Sequence, residues 1–336
     1  MSRRTATEAR GKRVIEPTES QQSGQEPIRP HGNRGGDPRV ESRIAPASPD
    51  RHMFWVFLGP QGLRAGWAIL LFSAIFYVLL AITRPILMDF LGPRPVGPLP
   101  PLRGVIGETL LFGLVVATTG LLSIPERKSL LYYGYQGRAR GLRLVSGMLW
   151  GFVAISALVL LLWKLGYLAL DGRAAGGRAA LEDAVLWGAM FLLTGFFEES
   201  LFRGYVQFTL TRGIGFWWGA LLFALVFGFV HAGNPGESPV GLLSVGAVGL
   251  VFCLSLWYTG SLWWAVGFHA AWDWGESYFY GTADSGMVAQ GHLLREHPVG
   301  AALWSGGTTG PEGSVLVLAL LAAIVVLMWL WWGRRG

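Results

Sequence analysis

Glu198 and Glu199 stand side by side in an apolar run, Gly195-Phe196-Phe197-Glu198-Glu199-Ser200-Leu201-Phe202-Arg203, with Arg203 four residues after Glu199. Two further apolar runs supply His231 and His269, and Asp273 follows His269 by four residues. An ionised side chain near a bilayer centre costs roughly 2.5–3.5 kcal/mol on insertion scales, so charges in such surroundings are functional candidates. A carboxylate and two imidazoles in a dry setting are the parts needed to activate water.

On a helix, successive residues are about 100° apart, while i and i+4 share a face. Glu199 and Arg203 are therefore expected to pair, which lowers the cost of burying both. Glu198 points elsewhere and stays free to act as a general base or acid. His269 and Asp273 share a face, so the carboxylate can accept from one ring nitrogen and leave the other for water, metal or substrate. His231 closes its apolar run one turn after Phe227, and Asn234 just beyond could donate to a developing oxyanion. Glu198, His231 and His269, with water in a fourth position, would also make an acceptable zinc site. The same groups could run metal-free general-base catalysis, and the reading leans that way. Glu108, Lys164 and Glu276 stand alone near segment ends and receive no role. Trp272 and Trp274 read as packing residues, and His292 and His297 as solvated loop histidines.

Other chemistries lack their signatures. The sequence has no His-Glu-x-x-His, no Gly-x-Ser-x-Gly elbow, no Gly-x-Gly-Asp and no phosphate-cradling glycine loop. Its single cysteine, Cys253, excludes an intrachain disulfide and a cysteine-based metal cluster.

The elements that must hold these residues are membrane spans. The chain is 52% hydrophobic and only 14% charged, with 16 Trp, whereas a soluble domain carries nearer a quarter charged residues. Eight apolar segments run approximately over 65–82, 105–124, 144–166, 184–201, 215–230, 240–258, 262–279 and 314–332. The expected fold is an all-α polytopic membrane bundle of about eight helices over 60–336, with a catalytic core at about 180–280. Residues 1–55 read as a disordered polar tail, too poor in apolar surface to fold and without a cleavable signal peptide. Basic residues concentrate in alternate connections (Arg127, Lys128, Arg138, Arg140, Arg143, Arg212), which predicts that this end and both termini are cytoplasmic. The net charge of +6 thus needs no nucleic-acid partner. The Pro-rich stretch 92–101 and the Gly-rich stretch 281–310 become external loops, and the site is expected to open towards the cytoplasm.

In this order on three spans, Glu198-Glu199-x-x-x-Arg203, Phe227-x-x-x-His231 and His269-x-x-x-Asp273 resemble the CPBP intramembrane metalloprotease family. That family includes the type II CAAX prenyl endopeptidases and relatives linked to bacteriocin immunity. Thr259-Gly260-Ser261-Leu262-Trp263, leading into the third motif, is similar too, and the likeness covers about 180–280. It implies an intramembrane endopeptidase acting on a membrane protein or lipidated peptide. Glu198 would activate water, and His231 and His269 would position that water or the scissile carbonyl. The family carries Asn or Asp at the last motif position. An ionised Asp273 cannot donate to an oxyanion, so here it would orient His269 or bind a metal. The rivals are a proton-coupled transporter, which would use the same charges as an ion relay, and a non-catalytic immunity or binding scaffold.

Overall fold

The computed structural model describes residues 55–59, 62–92 and 99–334. The expected tail at 1–55 lies, except for Trp55, outside the described residues, as does most of the Pro-rich stretch at 92–101. Among the described residues, eight long helices follow one another: α1 (Ala65–Leu91), α2 (Pro101–Ser123), α3 (Arg140–Leu165), α4 (Gly177–Ile214), α5 (Phe216–His231), α6 (Pro239–Thr259), α7 (Trp263–Asp273, prolonged by a π-helical stretch Trp274–Tyr280) and α8 (Leu316–Gly333). Six of them are long and apolar enough to cross a membrane. The other two are α5, with 16 residues, and α7, whose His269, Asp273 and Glu276 dilute its apolar character. The fold is thus an all-α membrane bundle.

The exterior is apolar, as lipid contact requires. Leu142, Val145, Leu149 and Val153 recur every three or four residues along α3, and all are exposed. The opposite face of α3 carries Gly147 and Gly151. A Cβ at either would run into the backbone carbonyl of Trp264 or Phe268, and one at Gly267 would run into that of Leu144. Lipid tails are as apolar as leucine, so helices in a bilayer associate through close packing and polar links. These glycines let α3 and α7 meet backbone to backbone, and they fix α7 in the bundle centre. The surrounding core joins Ile155 and Leu158 of α3, Phe252 of α6, Trp264 and Phe268 of α7 and Leu321 of α8.

Two features depart from the expected spans. The fourth segment does not stop near Leu201. It continues for 38 residues to Ile214, a length of about 57 Å against a hydrocarbon core of about 30 Å. A π-helical stretch, Ser200–Gly204, interrupts it directly after Glu199. The Gly-rich stretch 281–310 is also no free loop. β1 (Leu168–Arg173) pairs antiparallel with β2 (Leu294–Pro298), with Leu168 opposite Pro298 and Arg173 opposite Leu294. His297, expected to be only solvated, donates from Nδ1 to Asp171 Oδ2 across this ribbon at 2.8 Å. Thr282, Ser305, Thr309 and Ser314 are buried, so the segment folds back on the bundle end.

Candidate active site

The helical spacing places Glu199 and Arg203 as expected. Arg203 Nη1 donates to Glu199 Oε1 at 3.1 Å, and neither side chain has any exposed surface. The guanidinium also lies over the Phe227 ring, with Cζ 4.2 Å from the centroid. Beyond this pair, Glu199 Oε1 also accepts from His269 Nδ1 at 3.2 Å. The close approach that makes this possible runs through Gly195, one turn before Glu199, where a Cβ would lie 2.9 Å from the Val266 carbonyl oxygen of α7.

The other nitrogen of His269 is not free, contrary to the sequence reading. Nε2 lies 3.4 Å from Asp273 Oδ2 and 3.7 Å from Glu198 Oε2. Asp273 therefore shares the imidazole with two glutamates of α4 and is not its sole orienting group. The ring stacks on Phe252, with centroids 5.5 Å apart. His231 is held differently. Its Nδ1 lies 2.8 Å from the Phe227 carbonyl oxygen, which can only accept, so Nδ1 carries a proton and, in the neutral ring, Nε2 keeps the lone pair.

Glu198, His231, Asn234, His269 and Asp273 line one cavity of about 230 Å³. Glu199 and Arg203 are fully buried behind its wall. Glu108 of α2, to which the sequence reading gave no role, also lines it. A lone carboxylate in an apolar span was the available signal. Thr194, Ser244, Asp284, Ser285 and Glu312 add to the polar wall. The wall therefore includes the α5–α6 loop and the 281–313 segment, at the bundle end opposite the basic loops. The expected opening towards the basic, cytoplasmic end is not what the cavity shows. A second cavity, about 250 Å³, does lie towards that end, between Phe112, Tyr135, Phe196 and Trp263, but none of the motif residues lines it.

The zinc reading fits poorly. Nδ1 of His269 is bonded to Glu199, and Nε2 faces Asp273 and Glu198 at 3.4 and 3.7 Å. Among the described residues, the trio whose donor atoms lie within 4.8 Å of one another is Glu276, Asp284 and Glu312, not Glu198, His231 and His269. Trp272, expected to be simple packing, donates its Nε1–H to Glu276 Oε2 and Glu312 Oε1, each at 2.9 Å.

Residues 180–275 match the family model described as type II CAAX prenyl endopeptidase Rce1-like. Over this segment the chain is similar to the CPBP family. The CPBP segment opens near the start of α4 and closes two residues after Asp273, so it holds all six motif residues, Glu198, Glu199, Arg203, His231, His269 and Asp273. Glu108, Asp284 and Glu312 lie outside the CPBP match, although the same cavity uses them. Comparison with curated proteins and with solved structures returns no match. The six apolar helices and the CPBP likeness of residues 180–275 support an integral membrane protein whose central segment is similar to a protease family.

Proposed function

We propose that the chain is an intramembrane endopeptidase that hydrolyses a peptide bond in a membrane-associated protein or lipidated peptide, using water activated by Glu198. The observation that carries this reading is the meeting of Glu198 with His269, 3.7 Å apart from separate helices, on the wall of a cavity that His231 also lines. Glu198 takes a proton from water as the water oxygen attacks the scissile carbonyl carbon. The C–N bond then breaks, and Glu198 returns the proton to the leaving amine. His269, with both nitrogens turned to carboxylates, acts as a donor and an electrostatic anchor. His231 Nε2, with its lone pair, accepts from the water or from a substrate N–H. Asn234 is the neutral donor suited to the developing oxyanion.

No step needs a metal, and 1,10-phenanthroline is expected to leave cleavage intact. The test is a peptide-library cleavage assay of purified protein in lipid nanodiscs. Glu198→Gln should abolish turnover while leaving the thermal unfolding profile near wild type. Wild-type cleavage by Glu198→Gln would refute the mechanism. Proton-driven flux without cleavage would favour a transporter.

A further inference from the structure

Beside the proposed site, at the far end of α7, three carboxylates converge from three places. Glu276 comes from the π-helical stretch, Asp284 from the segment after it, and Glu312 from the turn before α8. Each brings an oxygen within 4.8 Å of the other two. The hydrogen bonds they receive from side chains come from neutral donors. One indole N–H, Trp272 Nε1, is shared by Glu276 and Glu312. Ser277 Oγ donates to Asp284 Oδ2 at 3.1 Å, and Ser285 Oγ to Glu312 Oε2 at 2.8 Å. A separate observation points to a ligand: Glu276 has no exposed surface, and its Oε1 has no hydrogen-bond partner. Leaving a buried carboxylate oxygen unpaired is costly, and placing two more carboxylates beside it adds repulsion.

We propose that Glu276, Asp284 and Glu312 form a divalent cation site of calcium size that fastens the 281–313 segment to the end of α7. An all-carboxylate donor set selects hard cations and disfavours zinc, which takes nitrogen and sulfur more readily. Ca²⁺ takes about six to eight oxygens in flexible geometry, and three carboxylates gathered within 4.8 Å of one another can share one such ion. Mg²⁺ demands a near-ideal octahedron and keeps several of its waters, which suits carboxylates drawn from three separate elements less well. The site is distinct from the water-activating one, because none of its three carboxylates belongs to the family motifs. It bears on that site through position. Asp284 and Glu312 wall the cavity, and Trp272, donating to two of the three carboxylates, adjoins Asp273.

The indole of Trp272 supplies the assay. Tb³⁺ binds where Ca²⁺ does and luminesces when a neighbouring tryptophan passes it energy. The full chain in detergent is expected to give saturable Tb³⁺ emission that Ca²⁺ displaces better than Mg²⁺, and Ca²⁺ alone should raise its melting temperature. Glu312→Gln and Asp284→Asn, each nearly isosteric, should weaken Tb³⁺ binding about tenfold or more and abolish the melting shift. Emission equal in wild type and both variants would place the ion elsewhere and overturn the proposal. So would displacement by Mg²⁺ in preference to Ca²⁺, or a wild-type melting temperature indifferent to Ca²⁺, a measurement that needs no variant.

Discussion

Glu199→Gln is the most informative perturbation of the motif cluster. Glu199 and Arg203 have no exposed side-chain surface and lie 3.1 Å apart, so the substitution leaves a buried guanidinium without its counter-charge. Removing one member of a buried pair costs about 3–5 kcal/mol. The Phe227 face, 4.2 Å from Cζ, stays in place, and the amide oxygen introduced by Glu199→Gln can still accept, so the lower end, about 3 kcal/mol, is expected. Arg203→Met alone should cost less, because the orphaned Glu199 keeps His269 as a partner. The double variant, Glu199→Gln with Arg203→Met, removes both charges and should recover most of the lost stability. It should not recover cleavage, since His269 Nδ1 would face an amide and not a carboxylate. Equilibrium unfolding in mixed micelles, run beside the reporter assay, reads both quantities. A Glu199→Gln protein within about 1 kcal/mol of wild type, or a double variant no more stable than the single, would refute the view that the pair is a charge-compensated unit.

Further expectations concern the fold around it. Gly151→Val should destabilise the bundle by about 2 kcal/mol or more, because its side chain must displace the Phe268 carbonyl, whereas Gly107→Ala, with open space around it, should be neutral or slightly stabilising in the same unfolding assay. Ala232→Cys, exposed beside the cavity, should react with a membrane-impermeant maleimide on intact cells while Arg138→Cys does not, and the reverse pattern would invert the orientation assigned from the basic loops. The native Cys253 is buried and adds little background. Glu126 ties the α2–α3 connection to α4. Burial pushes its carboxyl up, but hydrogen bonds from Tyr205, Arg212 and Tyr133 outweigh this and hold it below the ordinary range. A lowered carboxyl stabilises the fold above its unfolded value of about 4.3 and loses that effect as pH falls through the folded value. The melting-temperature gap between wild type and Glu126→Gln should therefore be present at neutral pH and close in acid.

The helical period made Glu199 and Arg203 legible as a pair, and the pairing survives the π-helical stretch Ser200–Gly204 that follows Glu199. The spans were legible from apolar length, and the order of the three motifs from their residue types. The bond from His269 to Glu199 was not. It joins positions 70 residues apart, and it depends on Gly195 letting α4 approach α7, a contact that no local pattern announces. For the same reason Glu199 was not expected to share the imidazole with Asp273. Asp284 and Glu312 were hidden differently: glycine and polar residues read as solvated loop, yet the segment is tied down by β2 and by buried hydroxyls. The side on which the cavity lies followed from that same folding back, which composition does not encode.

The glycine-lined seams also limit how a polypeptide can reach Glu198. Between α3 and α7, between α4 and α7 (at Gly195) and between α5 and α6 (where a Cβ on Gly228 would sit 2.8 Å from the Leu242 carbonyl oxygen), main chain presses against main chain. Such joints have no side-chain padding to swing aside, and prising one open would dismantle the bundle. Traffic is confined to the remaining flanks and the loop-capped mouth. For the proposed endopeptidase, a substrate entering by its tip or as an unwound stretch is the expected route.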